Sequence, residues 1–232
     1  MPDNISTGNQ LLDGQLAGGL RAGDLLAIRA PPASQSEAII HTLMKERPTL
    51  YISTLRQADA VRNDLDRVAT PDMEFKVAFV GEMANMGGEM VKKLTGKRTL
   101  SNDYSSQTGP LDSVFEEIQS LGGRCNVVLN PTSPLERDAE GEKYTAVLNK
   151  LKQRIMEVEG LGVLHCINQT QNPVLRDTTL TVADVIWTVE HVSKGEEKYR
   201  MKVEKNRGDP VSRESFELFL NRYVEVDATR NL

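Results

Sequence analysis

The stretch Arg29-Ala30-Pro31-Pro32-Ala33-Ser34-Gln35-Ser36-Glu37 follows an apolar run, Leu25-Leu26-Ala27-Ile28, and precedes Ile39, Ile40, Leu43 and Met44 at helical spacing. Strand, tight loop and helix in that order are the setting of a phosphate-binding loop, which reads G-x-x-x-x-G-K-[ST]. Its glycines let backbone N–H groups wrap phosphate at positive φ. Its lysine reaches the β- and γ-phosphates, and its hydroxyl binds Mg²⁺. Here Ala30 stands at the first glycine, Gln35 at the second, Ser36 at the lysine and Glu37 at the hydroxyl; Pro31, Pro32, Ala33 and Ser34 fill the middle. Gln35 disfavours the wrapped backbone, Ser36 carries no charge, and Glu37 repels phosphate. The setting of the loop is kept and its nucleotide chemistry is not.

Ser34-Gln35-Ser36-Glu37 matches the S-x-x-E capping box instead. This spacing predicts that Ser34 accepts from the N–H of residue 37 and that Glu37 reaches back to residue 34. A carboxylate also suits the positive end of a helix, by roughly 0.3–1 kcal/mol. The loop is therefore expected to be empty, with the protein capping its own helix.

The 232 residues, 39% of them hydrophobic, are enough for one large domain with a substantial core. A net charge of −5 offers no global basic field to nucleic acid. The sequence shows neither a signal peptide nor an apolar run long enough to span a bilayer, so a cytoplasmic protein without a membrane partner is expected. Cys125 and Cys166 lie in apolar, strand-like runs and are expected to be buried thiols. His41, His165 and His191 show no metal-ligand spacing, and no metal is expected.

The elements that would position the loop alternate. Strands are expected at Leu25–Ala30, Thr49–Thr54, Phe75–Val80, Cys125–Asn130, Val163–Ile167 and Val182–Val189. Helices are expected near 35–46, around Ala58, Val61, Leu65 and Val68, at Leu111–Leu121, and along a stripe of Tyr144, Val147, Leu148, Leu151, Ile155 and Val158. Residues 1–23 are rich in glycine and turns, while Lys198–Glu204 and Phe216–Leu220 alternate like half-exposed antiparallel strands. Such alternation implies a layered α/β domain over 1–232 with a mainly parallel sheet. Residues 81–109, with Lys92, Lys93, Lys97 and Arg98, read as a solvated insert. Nucleic-acid or partner binding by this insert is the less favoured reading, because no aromatic residues interleave the charges.

In this order and spacing the motifs resemble the RecA-like ATPases, most closely the KaiC and RadA-type branch. Ser6-Thr7-Gly8, Leu11-Leu12-Asp13 and Gly18-Gly19-Leu20 resemble that family's T-G-x-x-x-L-D-x-x-x-x-G-G segment. Gly23-Asp24 leads into the first strand, and Pro31-Pro32 keeps the middle of G-P-P-G-x-G-K-T. Leu50–Ser53, Val182-Ala183-Asp184-Val185-Ile186 and Lys205-Asn206-Arg207-Gly208 resemble its second strand, its V-A-D-x-V-I strand and its K-x-R-G.

The resemblance implies a RecA-like three-layer domain, with helices on both faces of a mainly parallel sheet and antiparallel C-terminal strands. It also implies where catalysis would sit. Leu55 and Arg56 fall at the family's catalytic glutamates, and Asn130 ends the Walker B strand in place of aspartate. Asparagine is a poorer partner for a hard cation. With phosphate anchor, base and metal position all altered, neither hydrolysis nor an ATP or Mg²⁺ cofactor is expected.

Asn168-Gln169 resembles the N-Q after the family's fifth strand, here read as a polar strand end. Lys205 and Arg207 resemble cations that reach a neighbouring subunit's γ-phosphate, and an exposed basic pair in a β-turn is the competing reading. The expected function is a pseudo-ATPase regulatory or scaffold subunit, partnered by a RecA- or KaiC-like homologue or by itself. Alternatives are a recombinase paralogue that binds single-stranded DNA and an atypical ATP-binding KaiC-like protein.

Overall fold

The computed structural model describes residues 3–16, 18–32, 34–81, 109–168, 170–192, 198–208, 215–220 and 224–226. Ala33, Gln169 and most of the 81–109 insert, including its four basic residues, lie outside the described residues. The first segment holds β1 (Asn4–Ile5), α1 (Gln10–Gln15) and β2 (Leu20–Arg21). Its sequence is rich in turns, and Asp13 organises it. The Asp13 carboxylate accepts from the Thr7 backbone N–H and from the hydroxyls of Thr7 and Ser6. This closes a loop over the start of α1.

The core alternates β3 (Leu25–Ala30), α2 (Glu37–Leu43), β4 (Thr49–Ser53), α3 (Ala58–Val68), β5 (Phe75–Phe79), α4 (Pro110–Gln119) and β6 (Asn126–Asn130). It continues with α5 (Ser133–Asp138), α6 (Gly141–Glu157), β7 (Gly162–Ile167), α7 (Pro173–Val182), β8 (Val185–His191), β9 (Lys198–Asn206), β10 (Ser215–Leu220) and β11 (Val224–Val226). The nine-stranded sheet runs β11-β10-β9-β8-β3-β7-β6-β4-β5. Strands β5, β4, β6, β7, β3 and β8 are parallel, and β9, β10 and β11 extend the sheet antiparallel. The protein is thus a three-layer α/β structure, with a large mixed sheet that is mostly parallel.

Period-2 alternation divides the buried side chains between two cores. Leu26, Ile28, Tyr51, Val128, Val163 and Trp187 pack with Ile39, Ile40, Val61 and Leu65 on the face of α2 and α3. Leu25, Ala27, Ile52, Leu129 and Leu164 pack on the other face against Val114, Ile118, Tyr144, Leu148 and Ile155. The stripe along α6 is core, as its spacing predicts, and each such side chain contributes about 1.5–3 kcal/mol by burial. Cys125 and Cys166 are both buried and free. Gly160 is required by close approach, since a Cβ there would lie 1.8 Å from the Cys125 carbonyl oxygen.

The structure corrects the sixth predicted strand. Val182 ends α7 and the strand begins at Val185. Asn172 and Pro173 start this unanticipated helix, with the Asn172 side chain accepting from the Leu175 N–H. Its β-branched composition disguises it: Val174, Thr178, Thr179, Thr181 and Val182 favour strand by propensity. Leu175, Arg176 and Thr179 bury one side, and tertiary packing overrides that preference. Among the described residues, no helix is long and apolar enough to cross a membrane.

Candidate functional site

The loop between β3 and α2 sits at the carboxyl ends of the parallel strands, beside the ends of β6 and β7. In open α/β sheets this edge is where ligands bind. Side chains occupy it here. Asn130 ends β6, His165 lies in β7, Tyr51 lies in β4, and Ser36 and Glu37 open α2. Along β6 the residues 126, 128 and 130 share the α2 face, so the strand's period places Asn130 under the loop.

These groups form one hydrogen-bonded chain. Ser34 Oγ lies 3.0 Å from Ser36 Oγ, which lies 2.8 Å from His165 Nε2. His165 Nδ1 lies 2.6 Å from Asn130 Oδ1. Asn130 Nδ2 donates to Glu37 Oε1 at 3.0 Å and also to the Tyr51 hydroxyl. The carboxylate fixes the direction, because it can only accept. Asn130 therefore turns its amide nitrogen to Glu37 and its oxygen to His165. His165 then carries its proton on Nδ1 and accepts from Ser36 at Nε2. Ser34, Ser36, Asn130 and His165 are each at most 6% exposed. Burial lowers His165 to about 4, outweighing Glu37, which raises it, and reinforced by Arg176. The ring is neutral at pH 7. Burial and the nearby Glu37 push the Tyr51 phenol up, so it too stays neutral.

Two loop expectations fail. The capping box does not form. Helix α2 starts at Glu37, Ser36 holds the N-cap position with helical dihedrals, and it makes no side-chain cap bond. Ser34 turns to Ser36 because that hydroxyl already donates to His165, and Glu37 turns to Asn130, which offers a buried amide donor. Nor does Gln35 reject the wrapped backbone: its φ is 52°, in the left-handed region at the second-glycine position. A non-glycine residue meets that conformation at about 1–2 kcal/mol.

Leu55 and Arg56 follow β4. Leu55 is exposed, and Arg56 pairs with Asp64 on α3. Neither is placed to abstract a proton. Lys205 is not an exposed β-turn cation. It lies within β9, and its ammonium donates to the carbonyls of Leu180, Thr181 and Ala183 at the end of α7. Burial, then Arg207, lowers its pKa. Arg207 is more open; it reaches Thr181 O at 3.2 Å and Asp184 at 3.4 Å.

Sequence reading missed His165, which looked like a lone histidine in an apolar strand. It also missed two further networks. On the opposite face, Glu136, fully buried, accepts from Arg176 at 2.9 Å and from Thr179 and Thr170. At the amino ends of β3 and β8, Asp184 accepts from the Leu25 N–H at 2.9 Å and from Lys152. Asp24, 3.8 Å from Lys152, is raised to about 6, chiefly by burial and then by Asp184. A separate cavity of about 460 Å³ lies between the ends of β4 and β5 and helices α4 and α5. Among the described residues no cluster of metal-ligating side chains is found.

Comparison with protein families matches residues 4–232 to the family of unknown function DUF7125. The chain belongs to that family. The match takes in the loop between β3 and α2, Asn130, His165 and the Lys205–Arg207 segment. No curated protein matches the chain.

Proposed function

We propose that this DUF7125 chain is a relative of the RecA-like ATPases, of the KaiC and RadA type, that is inactive as an ATPase and acts as a regulatory or scaffold subunit. The observation that carries the reading is the 3.0 Å hydrogen bond between Asn130 and Glu37. By the resemblance, these positions belong to the groups that would orient Mg²⁺. Here an amide nitrogen faces a carboxylate, and Mg²⁺ takes oxygen ligands at about 2.0–2.1 Å. Ser36, at the lysine position, is tied to His165 and gives phosphate no cation. Leu55 and Arg56 give water no base.

The partner proposed is a homologous chain or a second copy. Arg207, with 58% of its side chain exposed, is the residue through which this chain would act on a partner's phosphate, whereas Lys205 is held in its own chain. Calorimetric titration with millimolar Mg-ATP is expected to give no heat. Micromolar binding would overturn the empty-loop reading in favour of an atypical ATP-binding protein. Salt-dependent binding of single-stranded DNA would favour the recombinase-paralogue alternative.

A further inference from the structure

We propose that Ser36, His165 and Asn130 form a serine–histidine–asparagine acyl-transfer site, in which Ser36 is a nucleophile toward small activated carboxylic esters. Three separate segments bring the groups together: the start of α2, strand β7 and the end of β6. Their order and polarity are those an activated serine needs, with nucleophile and base in hydrogen-bond contact and the base oriented by a third group. Ser36 Oγ is 2.8 Å from His165 Nε2. The far ring nitrogen is 2.6 Å from Asn130 Oδ1. Only the tautomer with Nδ1–H satisfies both contacts, so the Nε2 lone pair points at the Ser36 hydroxyl.

The tautomer is fixed by Glu37, whose carboxylate holds the amide of Asn130 in a single orientation. Glu37 and Asn130 are positioning residues; Ser36 and His165 are the catalytic pair. Ser36 also lies at a strand–loop–helix junction directly after Gln35, whose φ is 52°. Ser36 itself has helical dihedrals, with φ −60° and ψ −15°. Ser36 is 3% exposed, so the smallest acyl group, acetyl, is the one tested.

The step balances without a co-reactant. Ser36 Oγ bonds to the carbonyl carbon as its proton passes to His165 Nε2. The carbon–oxygen bond to the leaving alcohol then breaks, and that oxygen receives the proton from Nε2. Acyl-Ser36 remains, and water deacylates it along the same proton route.

The full chain is treated with p-nitrophenyl acetate and, separately, with a fluorophosphonate probe, and adducts are located by peptide mass. The expected result is a nitrophenolate burst and a single phosphonyl adduct on Ser36, absent from the urea-unfolded chain. Peptide mapping of the unmodified protein decides this without relying on any variant's folding. His165→Gln, checked for native circular dichroism, should slow the burst by about 10²–10⁴-fold. Ser120→Ala, on the exposed end of α4, should leave it unchanged. Asn130→Asp should move the pH midpoint of the burst upward, with Glu37, Tyr51 and Arg176 the other ionisable groups around the relay; packing alone predicts no such movement. Adducts scattered over surface residues, or equal labelling of Ser36→Ala or of unfolded chain, would overturn the proposal. That result would leave the nucleotide reading untouched, because its own failure appears as ATP binding.

Discussion

At the carboxyl ends of β6 and β7, neutral groups pass hydrogen bonds from Ser34 through His165 to Asn130, and one carboxylate closes the chain. At the amino ends of β3 and β8, charges converge instead: Lys152 and Arg207 on Asp184, with Asp24 alongside. Both regions tie segments far apart in sequence, and both lie beside a parallel strand. The neutral relay is directional and depends on one tautomer. The ionic cluster is not directional, and it rests on charges gathered around the buried Asp184 carboxylate. The difference teaches that the loop edge is organised for a defined hydrogen-bond pattern, while the opposite edge is organised for cohesion.

The largest effect is expected from breaking the ionic end. Asp184→Ala leaves the buried Leu25 N–H and the Lys152 ammonium without their acceptor. Removing one partner of such a pair costs roughly 3–5 kcal/mol. Urea unfolding measures it. A loss below about 1 kcal/mol would show that the cluster contributes little cohesion and would erase the contrast.

The second test uses pH, because the two ends respond with opposite sign. His165 is neutral when folded and falls to about 4 from its ordinary 6.5. Its contribution is therefore present above pH 6.5 and is lost as pH falls toward 4, on the order of 3 kcal/mol. Asp24 is raised from 3.8 to about 6. Its contribution is present below pH 3.8 and is lost as pH rises through 6, on the order of 2 kcal/mol. Between pH 4 and 6 the two largely offset in the unmodified chain. Asp24→Asn should expose the acid-side loss caused by His165, and His165→Gln should make the protein more stable at pH 4.5 than at 7. Denaturant midpoints across that range decide. Two variants with identical pH profiles would mean that neither group titrates as its surroundings require.

The smallest effect sharpens the division of labour between Lys205 and Arg207. Lys205→Met removes the cation that meets the last carbonyls of α7 and should cost about 0.3–1 kcal/mol. Arg207→Ala should change thermal stability less and abolish any stimulation of a partner's nucleotide hydrolysis. If Arg207→Ala leaves that stimulation intact, the trans role fails.

Much of the fold is legible from local pattern. The apolar runs Leu25–Ile28, Leu50–Ile52, Val127–Leu129 and Val163–Leu164 are buried on both faces, and their composition shows it. The helical stripe from Tyr144 to Ile155 is equally plain. Helix α7 is not, because its threonines and valines carry strand propensity while its stability comes from packing. The residue types of the loop, without glycine or lysine, were legible, but the partners of Ser34, Ser36 and Glu37 were not. The capping box is a local pattern, and a local pattern wins only when no better partner is near. His165 and Asn130 are better partners, and they arrive from 129 and 93 residues away along the chain.

The sequence by itself therefore determined the alternation of strands and helices, the loop that joins the first of them and the residue types of that loop, which holds neither glycine nor lysine. Periodicity and charge are properties of neighbouring residues, and they need no third dimension. Only the tertiary structure decided that His165 is hydrogen-bonded to Ser36 and Asn130, that Glu37 faces Asn130, that Lys205 is held by α7 and that Asp24 and Asp184 share Lys152. Each of these depends on which strands are adjacent and in what register. Parallel pairing across the sheet sets that register through contacts between residues far apart in the chain.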